Sequence, residues 1–166
     1  MAILRLSSPA QYTKNVRPVC LAPQGANVQK DTVATVVGWG LTSETGPRPP
    51  VLQEITFKVW DNAECKNVYG SMAPGGITEH MLCAGKKGQD SCMGDSGGPM
   101  VRLQGSSYQQ IGIVSWGIGK KSRYLETGHS FLCRFRVPTH FMNERIVYKM
   151  CTDFALCCPL VNTFFQ

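Results

Sequence analysis

Apolar positions along this chain come in short runs rather than long helical stripes. Val33 to Trp39 reads as a strand, and Thr42 to Pro50, with Gly46, Pro47, Pro49 and Pro50, reads as a loop. From Gln53 the pattern alternates and puts Ile55, Phe57 and Val59 on one face, the mark of a half-buried strand. Asp61 followed by Glu64 has the spacing of an N-cap and its capping-box partner, which predicts a short helix through Val68. Ser71 to Thr78 is a Gly/Pro-rich loop, and strands are expected around Met81–Ala84, Pro99–Leu103 and Gln109–Trp116. Residues 7–32 are polar, carry Pro9, Pro18 and Pro23, and read as an extended linker. Short strands with turn signals between them indicate an all-β fold, an antiparallel barrel or sandwich.

Composition narrows the chemistry. The 166 residues suffice for one core. The formal charge of +6 comes from scattered basic residues apart from Lys86-Lys87 and Lys120-Lys121, with no aromatic-basic stripe, so no nucleic-acid partner is expected. No stretch approaches the roughly 20 apolar residues of a spanning helix, so no membrane partner is expected either. Eight cysteines suggest an oxidising compartment. They include no C-x-x-C pair, and adjacent Cys157-Cys158 does not match zinc spacing, so neither a metal nor another cofactor is expected. Met1 to Ala10 contains Arg5 and lacks the long apolar core of a signal peptide. A disulfide-type domain without an export signal is most simply part of a longer secreted protein, present here as a fragment.

The loudest chemical signal is Gly88-Gln89-Asp90-Ser91-Cys92-Met93-Gly94-Asp95-Ser96-Gly97-Gly98-Pro99. Glycines let a backbone turn tightly enough to aim two N–H groups at one point. A serine held in that turn can attack a carbonyl while those groups stabilise the oxyanion. Gly94 to Gly98 also fits G-x-S-x-G, but that elbow needs an apolar strand before it and a helix after it. Here polar residues precede, and Gly97-Gly98-Pro99 is a poor helix start. The whole run resembles the nucleophile loop of trypsin-like serine proteases. So do Asn15 to Leu21 as the inter-barrel segment and Val36-Val37-Gly38-Trp39-Gly40 as the opening strand of the second barrel. His80 to Gly85 resembles the strand leading to the specificity pocket, and Ile111 to Gly117 the strand beside a bound substrate. The nearest likeness is to arthropod clotting-type and clip-domain proteases.

This resemblance implies the second barrel of a two-barrel fold, with a short intermediate helix and a closing C-terminal helix. Ser96 becomes the nucleophile, and the N–H groups of Gly94 and Ser96 the oxyanion hole. Asp90 becomes the base of a pocket for Arg or Lys. Ser115, Trp116 and Gly117 would bind substrate backbone as an added strand, Gly117 leaving the pocket mouth open. Asp95 corresponds to the residue that pairs with a newly cleaved N-terminal ammonium, and without that cation the hole is expected to be disordered. Cys65 and Cys83 are expected to form a disulfide, and Cys20 to link to an upstream chain or pro-segment. Another family bridge would fall at Ala34 and Arg102, where both cysteines are replaced together. Met1 to Leu6 resembles the stretch just after the family's catalytic aspartate, and the catalytic histidine lies further upstream still. None of His80, His129 and His140 has that histidine's sequence context. The chain is thus expected to be inactive alone, since loss of the base in a triad costs about 10⁶ in turnover.

The likeness fails at Gly119-Lys120, where a cysteine partner for Cys92 is expected. Residues 120–135 match nothing in the family, so the rear strand of the pocket is expected to be lost, although Leu132 or Cys133 stands near its place. Gly-Lys can be encoded by GGTAAG, which contains an intron-donor sequence, so residues from Lys120 are expected to derive partly from retained intron or frame-disturbed sequence. Arg136 to Asn143 resembles the last strand and the start of the closing helix. The expected organisation is a partial peptidase domain over 1–146, with 1–32 as linker and 33–146 as barrel, followed by an atypical apolar tail over 147–166. The function implied is a trypsin-like serine endopeptidase acting through an acyl-enzyme on polypeptides with Arg or Lys at the cleavage site, completed by an upstream barrel. The alternative is a non-catalytic homologue that binds a partner through its cleft. Retention of Ser96, Asp95 and Asp90 argues against it, because a decayed enzyme has no chemical need for them.

Overall fold

The computed structural model describes residues 4, 6–23, 26–42, 46–73, 75–85, 94–118 and 131–135, the last by backbone only. In chain order the elements are β1 (Cys20–Leu21), β2 (Val33–Gly38), β3 (Gln53–Val59), α1 (Asn62–Tyr69), β4 (Met81–Gly85), β5 (Pro99–Gln104), β6 (Ser107–Ile113), β7 (Trp116–Ile118) and β8 (Phe131–Phe135). All the strands join one sheet in the order β1-β6-β5-β2-β3-β4-β8-β7. β6 and β7 lie near opposite ends of that order, yet only Val114 and Ser115 separate them in sequence. The sheet therefore curls until its ends meet, which makes a mostly antiparallel half-barrel with one short helix. The closing helix expected from the sequence, Asp90, Cys92 and the tail over 147–166 lie outside the described residues.

Alternation drives the strands. Ala34 and Val36 of β2 point inward and are buried, while Val33 is exposed. Phe57 and Val59 of β3 do the same, as the period-two pattern requires. With Leu82, Ala84, Met100 and Ile111 they form the barrel core. β4 departs from alternation, for all five of its residues are buried. Leu82 and Ala84 face the barrel core, whereas Met81 and Cys83 join a second cluster with Cys65, Tyr69, Ala73 and Ile77. Helix α1 covers this outer face, and the disulfide Cys65–Cys83 ties it to β4, as expected. The Trp60 and Tyr69 rings meet beside it with centroids 5.8 Å apart.

Asp61 caps α1 as the sequence predicts, accepting from the N–H groups of Ala63 (2.8 Å) and Glu64 (3.3 Å). Glu64 takes a different role from its expected one. Its carboxylate accepts from Lys30 Nζ at 2.7 Å, which ties the linker to the helix. That bond raises the Lys30 ammonium above its ordinary pKa. The two long side chains reach each other because a tight turn at Asp31, with φ of 64°, brings the linker back alongside β3, where Asp31 N–H donates to Val59 O.

Three expectations need correction. The rear strand is present: β8 pairs antiparallel with β4 through Cys83↔Cys133 and with β7 through Trp116↔Cys133. Unfamiliar side chains there do not prevent pairing, because the ladder uses backbone groups. The strand expected over Gln109–Trp116 is two strands, with Ser115 in the bend between them. Finally, Cys20 was assigned to an external link, but it is disulfide-bonded in this structure. The segment around it also gains an anchor, since β1 pairs in parallel with Gln109 and Gln110 of β6.

At Ala34 and Arg102 the register Thr35↔Val101 carries the two positions side by side. A small buried methyl and an arginine replace the family bridge. The Arg102 guanidinium turns to Gln109 Oε1, donating from Nε at 3.0 Å and from a terminal nitrogen at 2.8 Å.

The disulfide gives the first prediction. It closes a loop of 18 residues between helix and strand. Replacing both Cys65 and Cys83 by Ala should lower stability by about 3 kcal/mol, measured by urea denaturation, with the midpoint falling and the spectrum of the folded state retained.

Candidate active site

The candidate nucleophile sits on a loop that β2 and β5 hold from below. Val36↔Met100 pairing brings the end of β2, Gly38-Trp39-Gly40, beneath residues 94–98. There the Asp95 carboxylate turns down, and its Oδ1 accepts the Gly40 N–H at 2.8 Å. This contact explains the two glycines. A Cβ on Gly38 would collide with Asp95 Oδ1, and one on Gly40 would stand 2.5 Å from the Asp95 carboxyl carbon and both its oxygens. The pair leaves a socket that only a bare backbone allows.

The loop itself is pinned by backbone bonds. Gly97 N–H donates to Val114 O (2.8 Å), Gly98 N–H to Asp95 O (2.9 Å), and Val114 N–H to Gly98 O (2.9 Å). Gly94 and Gly97 adopt φ of 105° and 87°, values that favour glycine. These contacts tie residues 94–98 to the segment between β6 and β7. The result raises Ser96 into an exposed position, with Oγ donating weakly to Ser115 O at 3.5 Å. Among the described residues no acceptor takes the N–H of Gly94 or of Ser96.

Ser115, Trp116 and Gly117 run past the same serine. Trp116 is half-buried against the second core cluster, and Gly117 is exposed. Trp116 and Gly117 belong to β7, which ends the sheet order, so its outer side has no strand neighbour among the described residues. Such an edge can accept an extended peptide. Asp90 falls outside the described residues, as do His129 and His140. His80 is exposed in the turn before β4, 3.7 Å from Glu79. It does not line the site.

A cavity of about 660 Å³ opens beside Ser96. Val19, Val37, Leu52, Pro99, Val101 and Tyr108 form its apolar walls, and Arg17, Arg48 and Asp95 its charged lining. The sequence reading did not single out Arg48 as a site residue. Its signal was present in its setting between Pro47 and Pro49-Pro50, which stiffens the backbone on both sides. The Gly38–Gly40 socket had a signal too, in the G-x-G spacing itself. Among the described residues no group of three or more His, Cys, Asp or Glu side chains has metal-holding geometry, and no helix is long and apolar enough to cross a membrane.

A glycine loop thus presents an exposed serine and is hooked by its neighbouring aspartate to the end of β2. Residues 1–130 match the model of the Trypsin family, and the chain belongs to that family. It is 41% identical to Trypsin-1 of Astacus astacus over 72% of this chain and 49% of that protein. It is 41% identical to Serine proteinase stubble of Drosophila melanogaster (72% and 16%). It is 36% identical to Testisin of Homo sapiens (72% and 40%). The chain spans about half the length, or less, of these curated relatives.

The socket gives the second prediction. Gly40→Ala should force the Asp95 carboxylate out and destabilise the fold by about 1–3 kcal/mol. It should also move the amide NMR signals of Gly94 and Ser96. Gly75→Ala, whose added Cβ meets nothing within 4 Å, should leave those two signals in place.

Proposed function

We propose that this chain supplies the nucleophile half of a trypsin-like serine endopeptidase. The observation that carries the reading is the exposed Ser96, fixed between the Asp95 socket and the edge of β7. In the assembled enzyme Ser96 Oγ attacks the scissile carbonyl, and a histidine supplied from upstream takes its proton. The N–H groups of Gly94 and Ser96 receive the oxyanion. The histidine then protonates the leaving amine, and water hydrolyses the acyl-enzyme by the reverse sequence of proton transfers.

Substrate binding follows the same division. The peptide backbone adds to Ser115, Trp116 and Gly117 as a strand. The side chain before the scissile bond is Arg or Lys, held by the carboxylate of Asp90 through charge-assisted hydrogen bonds. This specificity rests on the family resemblance around Asp90. The upstream half, bearing the histidine and aspartate, packs on the apolar walls offered by Val19, Val37, Pro99 and Val101. The buried Cys65–Cys83 bridge supports an oxidising, extracellular setting for the complete protein.

The chain alone should not hydrolyse Arg or Lys ester substrates. A serine-directed phosphonate should label Ser96 far more slowly than it labels trypsin, which intact-mass measurement checks directly. Rapid labelling overturns the division of the triad. Joined to an upstream trypsin-family half carrying histidine and aspartate, the chain should gain activity, and Ser96→Ala should then lower kcat by about 10⁶.

A further inference from the structure

Among the described residues, Nε of Arg17 is the one buried side-chain nitrogen or oxygen without a hydrogen-bond partner. The side chain makes no ion pair there either. A guanidinium donor cut off from water and left without an acceptor is costly, and folded proteins ordinarily supply one. Arg102 shows the contrast within this chain, since its Nε and a terminal nitrogen both find Gln109. Arg17 as a whole is half-buried and lines the cavity beside Val19, Val37 and Val101. With no bond holding it, a turn of the guanidinium brings Nε out to an acceptor that arrives from outside the chain.

The backbone of Arg17 is set from both sides. Before it, Thr13 Oγ1 accepts the N–H groups of Asn15 and Val16, each at 3.1 Å, and Thr13 N–H donates to Val16 O at 3.0 Å. After it, Pro18 restricts Arg17 to extended conformations, and β1 is paired to β6 from Cys20 onward. The arginine is thus presented at a fixed place on the face where the upstream half is proposed to pack. Charge on that face favours an acid. Its lining holds two cations, Arg17 and Arg48, against one anion, Asp95, whose Oδ1 is already engaged by Gly40. A guanidinium presents Nε and a terminal nitrogen side by side, a fork that a carboxylate meets with one oxygen for each.

We infer that Arg17 anchors the upstream half by pairing with the carboxylate of an Asp or Glu which that half contributes. The inference rests on the proposed reading of this chain as the nucleophile half of a larger enzyme. The occupant follows from length, because the chain spans half or less of its relatives. The apolar walls supply area for the contact. The ion pair supplies alignment, because a bidentate pair forms only when the two halves meet in one register. Arg17 acts on the reaction through where it places the upstream histidine, so it is a positioning residue.

The test compares the chain alone with the complete protein, in which it is joined to its own upstream half. Arg17→Gln should leave the urea midpoint of the chain alone in place or raise it, because an unpaired buried donor is removed there. In the complete protein the same change should weaken docking of the halves about ten- to hundredfold, the range for a hydrogen bond to a charged group. Earlier loss of activity in urea reads that change. One Asp or Glu of the upstream half, replaced by Asn or Gln, should give the same loss, and the double variant should lose no more than either single one. Equal destabilisation of the chain alone and of the complete protein overturns the inference. So does the absence of any acidic residue coupled to Arg17. In wild-type protein, where no variant has to fold, the Arg17 Nε–H NMR signal should move downfield on joining and exchange more slowly with water. An unchanged signal overturns the anchor. If the complete protein hydrolyses Arg and Lys esters while Arg17→Gln docks normally, the anchor falls and the proposed function stands. If it hydrolyses neither, both fall.

Discussion

Strand β4 is the constraint on which the rest of the structure depends, because it is buried on both faces. An edge or surface strand can pair an apolar face with a polar one, but β4 must satisfy two cores at once. Leu82 and Ala84 close the barrel, and Met81 and Cys83 carry the cluster beneath α1. Everything outside the barrel hangs from this arrangement. The helix docks there, Cys65 is bonded there, and Asn62 reaches back to donate to the carbonyls of Thr78 and Met81 at 3.1 and 2.9 Å. β8 then pairs along its far side, and β7 follows β8. The site's edge strand is thereby positioned through two ladders that begin at β4.

The nucleophile loop depends on a separate, smaller constraint. Asp95 is hooked into β2, while Gly97 and Gly98 are bonded to the segment that leads from β6 into β7. The loop thus bridges the end of β2 and the end of β6, the two strands that flank β5 in the sheet. Rigidity at Ser96 comes from this bridging and not from local backbone preference, since φ values of 105° and 87° at Gly94 and Gly97 leave glycine many alternatives. An oxyanion hole needs donors fixed before the reaction begins, because donors that reorganise during it lose most of their effect. For the proposed hole at Gly94 and Ser96, the socket formed by Gly38 and Gly40 meets that need with backbone alone.

Much of this architecture was legible in the residues, and for identifiable reasons. The alternation of Ile55, Phe57 and Val59 marked β3, and Asp61 marked the start of α1, because both signals are local. The Ser96 loop was legible because its glycines fall at the set positions of the family's motif around the serine. β8 was not legible, since Phe131–Phe135 carries none of the family's side chains and strand pairing is made by backbone groups that sequence does not display. Glu64 misled for a related reason. The capping-box spacing is real, but Lys30 arrives from 34 residues away and offers a charged partner instead.

The parallel pairing of β1 with β6 has a mechanical consequence. Ala22 N–H extends the ladder to Gln110 O at 3.1 Å, so the chain just beyond Cys20 and Leu21 is fastened to the barrel rather than swinging from it. Any body attached upstream is therefore tethered by a short leash with a fixed origin. Such a leash holds two parts at effective concentrations in the millimolar range even when their mutual affinity is weak. Two pieces of a catalytic centre joined in this way need only a modest interface to stay assembled. The surface between them is then left unconstrained enough to accommodate changes that would separate two independent proteins.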